Sequence, residues 1–189
     1  MSEPRLTFAT QSEWEAWLEA HGSASPGVWL RLAKKSAEQP TLTYAQALEV
    51  ALCHGWIDGQ KRPEGDHHWL QRFTPRTARS LWSKINKEKA EALVAAKRMR
   101  PAGQAAIEQA KRDGRWEAAY ASASASTIPD DLQRALDASP KAKAFFETLD
   151  GRNRYAILFR IHNVKQAETR ARKIARFVEM LSAGEKLHP

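Results

Sequence analysis

The sequence lacks the features of several common protein classes, and each absence narrows what the chain can be. It has a single cysteine, Cys53, so no disulfide can form within the chain and a cysteine-rich zinc or iron–sulfur site has no ligands. Its apolar runs, such as residues 28–30 and 50–53, are far shorter than the roughly 18 residues that a membrane-spanning helix needs. We therefore expect no membrane span.

Common catalytic and cofactor motifs are also missing. There is no Gly-rich phosphate loop, no G-x-G-x-x-G and no G-x-S-x-G, and the six histidines show neither H-x-x-x-H nor H-E-x-x-H spacing. Cys53 and His54 are neighbours on a predicted helix and point about 100° apart, which disfavours a nucleophile–base pair. We expect no metal site and no cofactor.

The first residues, MSEPRLTFATQS, have acidic and polar side chains where a signal peptide has an apolar stretch. We therefore expect no export by that route, and a cytoplasmic protein.

What the chain does contain indicates two modules. It has 189 residues, of which 42% are hydrophobic, enough for a folded core. All seven tryptophans precede residue 117, and the low-complexity stretch ASASAST follows at residues 121–127. We predict an N-terminal module over residues 1–120 and a C-terminal helical module over residues 128–185.

The net charge of +8 is unevenly distributed along the chain. Residues 1–58 have 4 basic and 7 acidic side chains, residues 59–100 have 11 and 4, and residues 152–176 have 8 and 1. A basic chain suggests a polyanionic partner. The concentration of charge in two blocks favours a localised anion site instead.

Side-chain periodicity predicts an α+β protein, with a small N-terminal mixed β-sheet and packed helices followed by an all-helical module. Thr10 and Glu13 form a capping box, Thr43 is an N-cap, and Gly55 is a helix stop. The predicted strands are 6–8, 28–33, 56–58 and 69–73, with a polar turn region between the last two. One predicted helix starts after Thr10. The others cover 44–54, 84–99, 101–113, 130–138, 140–149, 154–162 and 166–182.

The candidate site surrounds Trp56 and Asp58, which share one face of a strand. Arg72 and Arg76 flank the rigid pair Thr74-Pro75, and guanidinium groups held in this way suit a carboxylate or phosphate. Asp58 is the candidate catalytic acid or base. The candidate ligand-binding residues are Trp56, Arg72, Arg76, Ser80, Trp82 and Asn86.

A structural interpretation of the same residues stays open. An aspartate among arginines forms structural ion pairs, and tryptophans fill cores. Arg170 lies at the edge of the apolar stripe of the last helix, where we expect a carboxylate or a helix C-terminus as its partner.

Several sequence blocks occur together in order: ALCHGWIDG (51–59), RFTPR (72–76), SLWSKIN (80–86), RMRPAG (98–103), Gly114-Arg-Trp116 and ETRARKI (168–174). In this combination the chain resembles the YdeI/OmpD-associated, or bacteriocin-protection, family from about Phe8 to Gly184. Residues 129–184 resemble its C-terminal helical domain. The resemblance implies a role in protection against bacteriocins or cationic peptides and implies no particular reaction. All seven candidate site residues match motif positions.

The leading hypothesis is a cytoplasmic stress- or protection-associated protein that binds an anionic small molecule or a peptide carboxylate at the Trp/Asp/Arg site. One alternative is an enzyme in which Asp58 acts as acid or base while Arg76 and Asn86 hold developing negative charge. Another is nucleic-acid binding through the two basic blocks.

Overall fold

Strands and helices alternate in the first part of the chain, and helices follow. The computed structural model describes residues 3–189. They form two compact units, the first ending at Ala119 and the second running from Tyr120 to Pro189. In chain order the elements are β1 (Arg5–Leu6), α1 (Gln11–His21), β2 (Val28–Ala33), α2 (Tyr44–Cys53), β3 (Trp56–Glu64), β4 (His68–Pro75), α3 (Lys84–Ala95), α4 (Pro101–Arg112), a turn of 3-10 helix (Ala123–Ala125), α5 (Asp130–Asp137), α6 (Pro140–Thr148), α7 (Gly151–His162) and α8 (Ala167–Ser182).

The strands of the first unit form one sheet in the order β1-β2-β4-β3. β1 and β2 are parallel and are connected by α1, whereas β4 pairs antiparallel with both β2 and β3. The predicted α+β class with a mixed N-terminal sheet is confirmed.

The pairing register assigns the site residues to two faces of this sheet. Asp58 lies opposite Phe73, and Phe73 lies opposite Val28, so these three side chains share a face. Arg72 pairs with Trp29 and points to the other face, because successive side chains of a strand alternate.

α1 and α2 cover the face that includes Phe73. Trp14 of α1 is fully buried, with its ring centroid 5.9 Å from Phe73 and 6.3 Å from Trp56. Its indole Nε1 donates a hydrogen bond to the Ala47 carbonyl oxygen of α2 at 3.1 Å. One aromatic side chain thus joins both helices to the sheet.

The predicted capping signals are confirmed. Thr10 and Glu13 form a capping box at α1, and Thr43 caps α2 in a second box with Gln46. Gly55, which follows the C-cap residue His54 of α2, adopts a left-handed conformation with φ of 72°.

The β3–β4 hairpin is longer than the two short segments that the sequence predicts. Both strands continue through the polar region, and only residues 65–67 form the turn. β3 is an edge strand, where Gly59 and Pro63 are tolerated because one side needs no ladder partner. A register irregularity between Asp58 and Lys61 absorbs the extra residue.

Two helix bounds also differ from prediction for local reasons. α3 ends at Ala95, before Lys97, whose φ is 56° and therefore not helical. α7 begins at Gly151 because the Asp150 side chain accepts a hydrogen bond from the Asn153 backbone N–H at 2.7 Å.

The second unit has its own core, contributed by α5–α8 and including Leu132, Leu136, Phe146, Ile157, Ile161, Ile174, Phe177 and Leu181. Arg170 of α8 donates to Asp131 Oδ1 at 2.9 Å and to the Ile161 carbonyl oxygen, in the last turn of α7, at 2.7 Å. Both partner types expected for Arg170 are therefore present.

Candidate functional site

A cleft of about 360 Å³ opens in the first unit over Trp56. It is bounded by the end of α2, the start of β3, the end of β4 and one side of α4. The described lining includes two arginines and no aspartate or glutamate. Its members are Gly22, Ser23, His54, Gly55, Trp56, Pro75, Arg76, Thr77, Ala78, Ala102, Ala106, Gln109 and Arg115.

Close backbone approach between α2 and α4 shapes one wall of the cleft. A Cβ at Gly55 would lie 2.7 Å from the Ala102 carbonyl oxygen. A Cβ at Gly103 would collide with the Cys53 carbonyl oxygen and lie 2.7 Å from that of Leu52. Only glycine lets α4 pack against the end of α2 at this distance.

Arg76 begins the segment that leaves β4 at the cleft. Its backbone N–H donates to the Gly55 carbonyl oxygen at 2.8 Å, and its Nη1 donates to the Leu81 carbonyl oxygen at 3.1 Å. The guanidinium carbon lies 3.4 Å from the ring centroid of Trp82, a cation–π contact. Trp82 is buried and packs edge-on against Trp116 with centroids 4.8 Å apart. An edge-to-face pair of tryptophans therefore lies beneath Arg76.

Arg115 enters the cleft from the segment after α4. Its Nε and Nη2 donate to the two Asp113 carboxylate oxygens at 2.9 and 2.7 Å, and its Nη1 donates to the Ser80 carbonyl oxygen at 2.7 Å. The hydrogen bonds from Arg115 to Asp113 lower the pKa of Asp113 to about 2. Gly114, with φ of 75°, makes the turn that positions Arg115.

His54 caps the C-terminal end of α2 and faces the cleft rim. Its Nε2 is shielded from solvent and has no hydrogen-bond partner, and the nearest carboxylate oxygen is Glu15 Oε1 at 3.8 Å. Burial lowers the pKa of His54, so the imidazole is neutral at neutral pH. Among the lining side chains, His54 is the one with the usual chemistry of a transition-metal ligand.

The sequence-predicted site residues separate into two groups. Trp56 and Arg76 line the cleft, and Trp82 lies beneath Arg76. Ser80 forms the adjoining turn, in which its Oγ accepts from the Thr77 backbone N–H at 3.0 Å.

Asp58, Arg72 and Asn86 lie elsewhere. Asp58 Oδ2 accepts a hydrogen bond from the Tyr44 hydroxyl at 2.8 Å and is outside the cleft lining. Arg72, on the opposite sheet face, donates from Nε to Glu3 Oε2 at 2.7 Å. This bond raises the pKa of Arg72 and lowers that of Glu3. Asn86 is buried on α3, in the first turn after the Ser83 N-cap.

Sequence reasoning assigned no role to His54, Gln109 or Arg115, which the fold brings to the cleft. The block Gly114-Arg-Trp116 contained the signal for Arg115, because a glycine after a helix directs the next side chain into a turn. No local pattern marks Gln109.

Two families match different parts of the chain. Residues 6–106 match a family described as a domain of unknown function (DUF8412), and this match covers more than half of the chain. The chain therefore belongs to that family. Residues 125–184 match the family described as bacteriocin-protection, YdeI or OmpD-associated, which confirms the family resemblance over those residues. The motif blocks before residue 106 lie in the first of these two matches. No curated protein and no solved structure matches the chain.

The bacteriocin-protection match associates the chain with that role. Over residues 3–189, no helix combines the length and apolar character needed to cross a bilayer.

Proposed function

We propose that the first unit binds a small anionic molecule, such as a metabolite or peptide carboxylate, in the cleft over Trp56, and that the protein acts in protection against bacteriocins or antimicrobial peptides. The match of residues 125–184 supports the protective role. The ligand class rests on one observation, namely that Arg76 and Arg115 line the cleft without any acidic side chain in its described lining.

Arg76 is the principal anion-binding group in this proposal. Its contact with Trp82 uses the face of the guanidinium, and the N–H donors lie in the plane of the group. Nη1 donates to the Leu81 carbonyl oxygen, and Nε and Nη2 are shielded from solvent. Stacking and the hydrogen bond to Leu81 therefore hold the group in one orientation. Such a preorganised fork suits a carboxylate or phosphate, because little side-chain entropy is lost on binding.

Arg115 and the apolar floor complete the site. Asp113 neutralises much of the Arg115 charge, so Arg115 shapes the cleft and Arg76 attracts the ligand. The floor and walls include Trp56, Pro75 and two alanines of α4. A ligand with a short apolar body attached to its anionic group matches this lining.

Ligand binding to purified protein tests the proposal. We would titrate acetate, inorganic phosphate and a short peptide with a free C-terminal carboxylate, using calorimetry and thermal shift. Arg76→Met removes the guanidinium and keeps an unbranched apolar chain over Trp82. We expect Arg76→Met to weaken binding about tenfold or more, because a charge-assisted hydrogen bond is worth about 1.5–3 kcal/mol.

Arg72→Met is the matched control. Arg72 also belongs to β4 but points to the opposite sheet face and pairs with Glu3. We expect this variant to bind the same probes as the wild type. Equal binding by wild type and Arg76→Met, with both variants folded by circular dichroism, would refute the anion site.

The enzyme hypothesis based on Asp58 stays a prediction. Asp58 is bonded to Tyr44 and lies outside the cleft lining, so an acid–base role would need a different binding surface. Asp58→Asn is expected to leave anion binding in the cleft unchanged.

Nucleic-acid binding also stays a prediction. Around one cleft of the second unit, Arg160, Lys173 and Arg176 are interspersed with Glu179 and Glu185. This mixture of signs does not favour a polyanion. DNA or RNA binding that falls steeply with added salt would support the alternative.

A further inference from the structure

Three side chains with metal-ligand chemistry converge where α1 passes the end of α2. Glu15 and Glu19 are four residues apart on α1, so they lie on one helix face. His54 follows the last residue of α2. One ligand atom from each of the three lies within 4.8 Å of the other two.

His54 is directed into this cluster and not into water. Its side chain is only 10% exposed, and its Nε2 is buried without a hydrogen bond while lying 3.8 Å from Glu15 Oε1. A buried imidazole nitrogen without a hydrogen-bond partner is available to coordinate a metal ion.

A cation already lies between the two carboxylates. Arg100 Nη2 is 2.9 Å from Glu15 Oε1 and 3.2 Å from Glu19 Oε1. The Arg100 side chain is 48% exposed, so it can rotate into solvent when another cation takes its position. The two carboxylates therefore already hold positive charge at this point.

We propose that Glu15, Glu19 and His54 bind a divalent first-row transition-metal ion, with the Arg100 guanidinium as the group it displaces. One imidazole and two carboxylates favour Zn²⁺, Co²⁺ or Mn²⁺ over Ca²⁺ and Mg²⁺, which prefer all-oxygen sites. Metal–ligand bonds of about 2.0–2.2 Å require the ligand atoms to move closer together. The two flexible glutamates on the protein surface permit that movement.

This site goes beyond the proposed anion cleft and shares only His54 with it. No local sequence motif marks the metal site, because its ligands come from two helices and the histidine has no second histidine at helical spacing. Different variants test the two sites, since Arg76 is outside the metal cluster and Glu19 is outside the cleft lining.

Metal titration of the full chain tests the proposal. After dialysis against a chelator, Co²⁺ is added and its visible absorption followed, with Zn²⁺ binding measured by calorimetry. We expect one ion per chain. Glu19→Gln and His54→Asn should each weaken binding about tenfold or more, because each removes a ligand.

Arg100→Met best distinguishes a metal site from a structural Glu–Arg ion pair. Removing the competing guanidinium should make the metal bind more tightly than to the wild type, whereas a purely structural Glu–Arg pair predicts no such gain. Glu49→Gln, which removes a carboxylate paired with Arg98, and His67→Ala, which removes a turn histidine, are the matched controls and should not change binding.

Three outcomes would overturn the metal site. The first is that neither Co²⁺ nor Zn²⁺ binds at concentrations up to roughly 1 mM. The second is that Glu19→Gln and His54→Asn both bind metal with wild-type affinity. The third is that Arg100→Met binds metal no more tightly than the wild type. Because Glu19→Gln and Arg100→Met alter exposed side chains, the test does not depend on the folding of the His54 variant.

Discussion

At the scale of single residues, the partner of one arginine could be predicted from the sequence and that of another could not. Arg170 was recognisable from its position at the edge of an apolar helix stripe, and it pairs with Asp131. The Glu3 partner of Arg72 could not be identified, because Glu3 precedes β1 and reaches Arg72 only through the pairing of β1 with β2 and of β2 with β4. Period-two alternation assigns faces within a strand, but it does not say which distant carboxylate lies across the sheet.

The Asp131–Arg170 pair predicts an acid-dependent contribution to stability. Arg170 lowers the pKa of Asp131, so the folded state keeps this carboxylate ionised at pH values where the unfolded chain takes up a proton. The stabilisation is therefore complete above the ordinary aspartate value of 3.8 and is lost as the pH falls through the lowered pKa. Asp131→Asn should reduce the free energy of unfolding at neutral pH by about 1 kcal/mol, a solvent-screened value.

Urea unfolding of wild type and Asp131→Asn, followed by circular dichroism at several pH values, measures this effect. The difference between the two proteins should be largest at neutral pH and should shrink in acid. A difference that stays constant across the range would show that the ion pair is not its cause.

At the scale of elements, helix ends that depend on neighbouring residues could be predicted from the sequence. Pairing between distant segments could not. The Thr10–Glu13 and Thr43 caps depend on residues three apart, and both form as predicted. The full β3–β4 hairpin was missed because Gly59 and Pro63 have low strand propensity, which the edge position overrides. The cleft lining was only partly predictable, because α4 meets the end of α2 through a tertiary contact at Gly103.

Gly103 supplies a prediction in which packing opposes helix propensity. Alanine is favoured over glycine inside a helix by about 1 kcal/mol. In α4, however, the added methyl would meet the carbonyl oxygens of Leu52 and Cys53. We expect Gly103→Ala to lower the free energy of unfolding by about 1–3 kcal/mol, measured by urea unfolding with tryptophan fluorescence.

Gly151→Ala is the control for this substitution. Gly151 begins α7, and a Cβ there would meet nothing within 4 Å. This variant should be as stable as the wild type or gain up to about 1 kcal/mol. If Gly103→Ala were stabilised to the same extent, the close approach of α4 to α2 would not limit that position.

At the scale of the whole molecule, charge and family membership are both distributed along the chain. The excess of basic side chains in residues 59–100 suggested one localised anion site. The structure instead distributes many of these cations among separate partners, such as Glu3 for Arg72, Glu49 for Arg98 and the Trp82 ring for Arg76. A sum of charges over a segment contains no information about sheet faces. The two family matches, at residues 6–106 and 125–184, fall in different units.

We propose that the two units unfold independently, since each has its own cluster of buried side chains. Tryptophan fluorescence reports on the first unit alone because all seven tryptophans precede residue 117, whereas far-ultraviolet circular dichroism detects the helices of both.

Ile107→Val and Ile157→Val each remove one methylene group from a different core, at a cost of about 0.5–1.5 kcal/mol. Ile107→Val should lower the midpoint of the fluorescence transition. Ile157→Val should leave that midpoint unchanged and shift only the part of the dichroism transition that fluorescence does not report. Equal shifts of both signals by both variants would instead mean that the chain unfolds as one cooperative unit.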